Sequence, residues 1–279
     1  MWKKSDIKMI TFPCCKINIG LSVLSKRPDG YHDIRTLMYP VRGLCDSLEI
    51  LPDPESEECR LSFSGIVIDC PVEKTSVWKA WRVMRERYGI GGIRAHLHKA
   101  VPFGAGLGGG SADGGFTVRM LNEIFGLGLS ESEMEDAAAT IGSDDPFFVR
   151  CTPRVCAGRG EVLIDNDLDL SGKWIAILKP PYGISTAQAY GGVTPAYSTP
   201  IEEITALPIE EWRRLLKNDF EQSAFALHPE LAEIKEELYR CGAEYAAMSG
   251  SGSAMYGLFS EKPSLSPSLQ EIAIYQGEL

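Results

Sequence analysis

The sequence predicts an α+β protein of two domains, on three grounds. Its 279 residues correspond to roughly two domains at about 150 residues each. Strand and helix signals alternate without the strict strand–helix–strand rhythm of a doubly wound sheet. Composition changes at residues 152–160, where Pro, Gly and Arg accumulate, which divides the chain into domains at 1–155 and 156–279.

In the first domain, Ile17, Ile19, Leu21 and Val23 alternate with smaller or polar residues, predicting a strand with one buried face. Residues 48–51 and 61–68 read as further strands, separated by the acidic loop 52–58. Val77, Trp81, Met84 and Tyr88 recur at helical spacing, predicting a helix over 74–88 that Gly89 ends. Alternation returns at 93–101: Ile93, Ala95, Leu97 and Lys99 fall on one side, Arg94, His96, His98 and Ala100 on the other. Pro102 and a glycine-rich stretch follow, then a helix carrying Met120, Leu121, Ile124 and Phe125. Ser130 and Glu133 form a capping box for a helix that runs to Ile141 and is closed by Gly142. In the second domain strands are expected at 174–178 and 254–259. Pro229 opens a helix through Leu231, Ile234 and Leu238, and Gly242 stops it.

Hydrophobic residues make up 44% of the chain and charged residues 24%, the balance of a folded protein. A chain of this size buries roughly three quarters of its unfolded surface, so it needs neither disulfides nor metal to fold. Lys plus Arg number 28 and Asp plus Glu 38, a net charge of −10, which gives no electrostatic footprint for nucleic acid. Any phosphate chemistry must therefore come from local geometry. The cysteines at 14, 15, 45, 59, 70, 151, 156 and 241 include no C-x-x-C pair, which argues against a zinc ribbon and reads as reduced thiols in the cytoplasm. After Lys3 and Lys4 the apolar run is broken by Asp6, Lys8, Lys16 and Asn18, so no signal peptide is expected. No segment approaches the ~20 apolar residues of a membrane span.

The strongest local signal is Pro102-Phe103-Gly104-Ala105-Gly106-Leu107-Gly108-Gly109-Gly110-Ser111. Glycine allows positive φ and lets backbone N–H groups approach a ligand closely. A helix starts directly afterwards, so its free N–H groups and its dipole converge on one spot and make a phosphate site. Ser111 serves there as helix cap or ligand. Residues 104–109 satisfy G-x-G-x-x-G, but the acids that follow, Glu123 and the cluster at 131–136, lie on expected helices and not at a strand end, against a dinucleotide fold. Ser111 stands where a Walker A loop needs Lys. No His-Arg-Asp motif is present, against a protein kinase. The stretch is a phosphate cradle of a fourth kind.

That stretch is similar to the second motif of the GHMP kinases, the superfamily of galactokinase and the homoserine, mevalonate and phosphomevalonate kinases. Cys15-Lys16-Ile17-Asn18 resembles the first motif and Met248-Ser249-Gly250-Ser251-Gly252-Ser253-Ala254 the third, in the family's order across nearly the whole chain. Lys26-Arg27-Pro28-Asp29-Gly30-Tyr31-His32, the segment from Gly142 to Phe148, Asn218-Asp219-Phe220-Glu221 and Gly242-Ala243 resemble the branch that acts on a cytidine-diphosphate-linked alcohol.

The resemblance implies an ATP-dependent kinase of the non-mevalonate isoprenoid route. It would move the γ-phosphoryl group to the tertiary 2-hydroxyl of a methylerythritol unit carrying a cytidine diphosphate group, with Mg²⁺ bridging the phosphates. It implies a monomer or homodimer with a small-molecule partner and neither nucleic acid nor membrane. The implied fold joins an N-terminal domain like domain 2 of ribosomal protein S5 to a ferredoxin-like C-terminal domain, with the active site in the cleft between them. Asp144 matches the catalytic base, Lys16 the catalytic lysine, and residues 102–111 with Ala112 the ATP-binding loop. Tyr31 and His32 match the cytosine site, Tyr190 the opposing aromatic, and Asn18 a substrate contact near the reacting end. These residue types suit those tasks. A carboxylate orients a hydroxyl and accepts its proton, an ammonium keeps it ionised and offsets phosphoryl charge, and Tyr and His supply a stacking face and base-edge hydrogen bonds.

Ser111-Ala112-Asp113-Gly114-Gly115 departs from the usual Ser-Ser-Asp-Ala-Ala. Each glycine weakens the helix start by about 1 kcal/mol relative to alanine, which predicts a more mobile loop or weaker nucleotide binding. Cys15 replaces a usual alanine. Two other readings stay open: a kinase for another small alcohol, with no need of Tyr31, His32 and Tyr190, and a silent nucleotide-binding module, with no need of Lys16 and Asp144. His96 and His98 supply too few ligands for a metal and read as a polar strand face.

Overall fold

The structure is a computed structural model that describes residues 9–196 and 199–279; Lys3, Lys4, Asp6 and Lys8 lie outside the described residues. In chain order the strands are β1 (Met9–Thr11), β2 (Cys14–Lys26), β3 (His32–Cys45), β4 (Ser47–Asp53), β5 (Cys59–Gly65), β6 (Gly92–Lys99), β7 (Arg154–Gly158), β8 (Val162–Asp165), β9 (Trp174–Leu178), β10 (Tyr245–Met248), β11 (Met255–Phe259) and β12 (Ala273–Glu278). The helices are α1 (Ser76–Tyr88), α2 (Gly109–Phe125), α3 (Glu131–Ala138), α4 (Phe147–Arg150), α5 (Thr186–Gly191), α6 (Ile201–Thr205), α7 (Ile209–Leu215), α8 (Phe220–Leu227), α9 (Glu230–Arg240) and α10 (Pro267–Ile272). The chain forms two compact units that are not consecutive halves. Of the described residues, one holds 9–15, 44–102 and 108–152; the other holds 16–43, 103–107, 153–196 and 199–279. The α+β class is the one expected.

The first unit is a four-stranded sheet in the order β1-β4-β6-β5, mixed because β5 pairs parallel with β6 while β4 pairs antiparallel with it. Its apolar side, with Leu48, Ile50, Ile93 and Leu97, packs on Val77, Trp81 and Met84 of α1 and on Val118 and Leu121 of α2. Alternation along β6 holds: Ile93, Ala95 and Leu97 are buried, and Lys99 is buried with them. Thr75 caps α1 by accepting from the Trp78 amide, and Gly89 ends it in the left-handed conformation. The Ser130–Glu133 capping box is present, but α3 stops at Ala138. Thr140 and Ile141 bond back three residues, to Ala137 and Ala138, so the chain tightens into turns before Gly142. The β5 strand stops at Gly65, short of 68: that residue has φ +80°, and a Cβ there would stand 2.1 Å from the Lys99 carbonyl oxygen.

The second unit contains two antiparallel sheets, β2-β3-β7-β8 and β10-β11-β9-β12. Leu178, Met248, Met255 and Phe259 form its core with Phe220 and Ala224 of α8 and Leu231 and Leu238 of α9. One expectation is corrected here. The strand through Ile17–Val23 is buried on both faces, since residues 14–23 are all inaccessible. The polar residues on its second face, Lys16, Asn18 and Ser22, are therefore interior groups, and buried polar groups need partners. Among the described residues no helix is long and apolar enough to cross a membrane.

Candidate active site

Those partners define the first part of the site. Lys16 is 3% exposed and Asn18 2%. The Lys16 ammonium donates to Asn18 Oδ1 and to the Gly106 carbonyl, the latter at 3.0 Å. The Asn18 amide donates to Thr36 Oγ1 on β3 at 3.0 Å, and Thr36 donates onward to the Gly20 carbonyl. Both ends of the Asn18 side chain are thus engaged, which fixes the ammonium. Gly106 has φ +78°, and a Cβ there would lie 1.9 Å from the Ser249 carbonyl oxygen, so only glycine fits. Ser249 Oγ donates to the Gly106 carbonyl at 2.8 Å and accepts from the backbone N–H of Asn18 at 3.3 Å. Asn218 donates to the carbonyls of Met248 and Gly250. The first motif, the middle of the glycine stretch and the third motif therefore meet in the second unit.

The aromatic residues lie in the same unit. Asp29 accepts from the Tyr31 amide and shapes the turn ahead of β3. His32 stacks on Tyr190 of α5 with ring centroids 4.5 Å apart and planes 17° from parallel, and Phe220 meets the Tyr190 ring edge-on. Tyr31 is 58% exposed, with the Arg159 guanidinium 4.9 Å from its ring centroid. Tyr31 and Tyr190 were expected to face each other across a base. The structure places His32 directly on Tyr190, which leaves no gap between that pair, and Tyr31 stacks with Arg159.

The first unit holds the helix start and the candidate base. Gly108, just ahead of α2, has positive φ, as does Gly104 in the second unit. The first amide to bond back into α2 is that of Ala112, to the Gly108 carbonyl, so the amides just before it have no helical acceptor. Asp144 sits half-buried in the turn ahead of α4. Its neighbour Asp145 is fully buried. Burial pushes the Asp145 carboxyl up to about 7, while the Ser111 hydroxyl pulls it down.

Asp145 explains the glycines that depart from the family's pattern. A Cβ on Gly114 would come 2.1 Å from Asp145 Oδ1, and one on Gly115 would come 2.6 Å from the Asp145 carbonyl oxygen and 2.8 Å from Phe148 Cβ. The helix gives up alanine's propensity so that the turn carrying Asp144 and Asp145 can lie against it. Gly115→Ala, a stabilising change in an open helix by about 1 kcal/mol, is expected here to destabilise by about 1–3 kcal/mol through overpacking. Denaturant unfolding measures this, and a gain in stability would contradict the packing. His96 and His98 face outward, and their ring nitrogens bond to the Ser62 and Ser64 hydroxyls. Sequence reading missed the burial of Asp145 and the Thr36 contact, which no local pattern marks; it named Asn218 in a motif but not its bonds to Met248 and Gly250.

A buried lysine held on the Gly106 carbonyl of a glycine-rich stretch is equipment suited to a small-molecule phosphotransferase. The chain matches the GHMP kinases N terminal domain over residues 75–151 and the GHMP kinases C terminal domain over 201–270. A protein of Parabacteroides distasonis named 4-diphosphocytidyl-2-C-methyl-D-erythritol kinase is 48% identical, over 91% of this chain and 93% of its own. The protein of the same name from Bacteroides thetaiotaomicron is 46% identical over 92% and 94%. Among solved structures, a 4-(cytidine 5'-diphospho)-2C-methyl-D-erythritol kinase is 31% identical with a TM-score of 0.76 over 90% of both chains. Homoserine kinase from Cytophaga hutchinsonii, 16% identical, shares the fold with a TM-score of 0.67 over 97% of this chain and 89% of that one. The chain belongs to the GHMP kinases, and within them to the 4-diphosphocytidyl-2-C-methyl-D-erythritol kinase family.

Proposed function

We propose that the chain transfers the γ-phosphoryl group of ATP to the tertiary 2-hydroxyl of 4-diphosphocytidyl-2-C-methyl-D-erythritol, in the cytoplasm, as a step of non-mevalonate isoprenoid precursor synthesis. The observation that carries this reading is the junction of Lys16, Asn18, Gly106 and Ser249, where residues distant in sequence fix one ammonium beside the glycine stretch. Residues 102–112 cradle the triphosphate with backbone amides. Asp144 orients the hydroxyl and takes its proton as the bond to phosphorus forms. Lys16 offsets charge on the transferred group, and Asn18, which accepts from the Lys16 ammonium, contacts the substrate near the reacting end. Tyr31 and His32 hold the cytosine, and Tyr190 serves that site by backing the His32 ring. Mg²⁺ would be carried by the nucleotide's phosphates, whose charge it would offset.

The test is phosphoryl transfer by the purified protein with ATP, Mg²⁺ and the cytidyl alcohol, followed by phosphorus NMR. A new phosphomonoester on the cytidyl alcohol is expected. Turnover of a non-cytidyl alcohol alone selects another kinase of the superfamily, and nucleotide binding without turnover selects a silent module. His32→Ala removes a stacked ring and a hydrogen-bonding edge worth about 1–2 kcal/mol together. The KM for the cytidyl substrate is expected to rise about tenfold with kcat little changed; an unaltered KM removes His32 from the pocket.

A further inference from the structure

Three charged side chains in the first unit take no part in the reaction described above: Asp46, Lys99 and Asp113. All are shut off from solvent, with side chains 0%, 0% and 4% exposed. The Lys99 ammonium donates to Asp46 Oδ2 and, at 2.8 Å, to Asp113 Oδ2. The other Asp46 oxygen accepts the amides of Ala100 at 2.7 Å and Val101 at 2.9 Å.

Buried ion triads are weak devices for stability, since apolar residues of similar volume often do as well. What this triad determines is geometry. Lys99 is the last residue of β6, and Ala100 and Val101 are the two residues leading into Pro102. Asp113 stands in the first turns of α2, two residues after Ser111. One ammonium therefore links the chain entering the glycine stretch to the chain leaving it. The two ends are in close contact: a Cβ on Gly109 would lie 2.8 Å from Val101 Cγ1 and 3.5 Å from Lys99 Nζ. Burial raises the Asp113 carboxyl to about 8, against the pull of the Lys99 ammonium.

We propose that Asp46, Lys99 and Asp113 are positioning residues that fix the spacing between the two ends of the glycine stretch and thereby set its affinity for the nucleotide. The proposal rests on reading that stretch as the ATP site. Asp113→Leu is the sharpest probe. It leaves Lys99 paired one-to-one with Asp46 and the two amides capped, and it removes only the link to α2. The KM for ATP and the dissociation constant of a fluorescent ATP analogue are expected to rise about tenfold or more, roughly 1.4 kcal/mol of binding. The KM for the alcohol should stay within about twofold and the thermal midpoint within a few degrees, a split that a general loss of structure would not produce. Asp113→Asn keeps an oxygen that accepts from Lys99 and is expected to restore nucleotide affinity to within about threefold. Asp113→Ala, which cannot overpack, takes the place of the leucine variant if that one does not fold. A folded leucine or alanine variant that binds the analogue like wild type overturns the proposal, as does an asparagine variant as weak as leucine. If wild type binds no nucleotide, the reading of the stretch as an ATP site falls and the tether falls with it. If wild type binds and turns over while the variants match it, the tether alone is lost.

Discussion

Asp144→Asn is expected to lower kcat by a factor of about 10²–10⁴, the usual share of a general base, while the dissociation constant for ATP stays within a few-fold. The amide has the shape of the carboxylate but cannot accept the hydroxyl's proton, and a tertiary alcohol is too weak an acid to lose it unaided. The adjacent acid supplies an internal control. Asp144 is half-buried, whereas Asp145 is 1% exposed and its carboxyl is turned onto Gly114 and Gly142. Asp145→Asn should therefore keep far more turnover than Asp144→Asn. The opposite ranking, read from single-turnover rates, would move the base to Asp145.

Lys16→Met should be nearly as damaging, with kcat lower by about 10²–10³ if the ammonium stabilises charge only as the phosphoryl group transfers. Part of the loss comes from the protein itself, because Asn18 Oδ1 and the Gly106 carbonyl both lose a donor. Lys16→Arg is expected to fail as well. A planar guanidinium needs more width than a closed site built around one ammonium, and the two cations are not interchangeable there. Stopped-flow phosphoryl transfer combined with a thermal melt separates the chemical loss from unfolding. A methionine variant that turns over within about threefold of wild type would remove Lys16 from the chemistry.

Much of this was legible in the sequence, and the reasons are local. The inward side of β6 was visible in the alternation of Ile93, Ala95 and Leu97, and the same alternation put Lys99 inside among apolar residues. Gly89 and the Ser130–Glu133 box mark helix ends by rules that span a few residues, whereas the Thr75 cap, which starts α1 at Ser76 and not at 74, was not read. The 14-residue β3 went unseen: Arg35, Pro40, Arg42 and Gly43 break its apolar pattern, and one of its two neighbours in the sheet, β7, is more than a hundred residues away. The grouping of residues 16–43 with the second unit was hidden for the same reason. The motifs named Lys16, Asn18, Gly106, Asn218 and Ser249, but the bonds that join them, and the Thr36 and Tyr256 groups that hold Asn18, are set by contacts across the fold. Gly114 and Gly115 read as weak helix starts until Asp145 was found occupying the space their side chains would fill.

The central claim is that the glycine stretch, Lys16 and Asp144 serve one transferred phosphoryl group. A crystal structure with a non-hydrolysable ATP analogue and a cytidine diphosphate alcohol tests it most directly. The account predicts the triphosphate on the amides of residues 104–111, with the acceptor hydroxyl in hydrogen-bonding reach of Asp144 and the terminal phosphate beside Lys16. A nucleotide bound away from those amides, or a hydroxyl out of reach of Asp144 with both ligands in place, would contradict it.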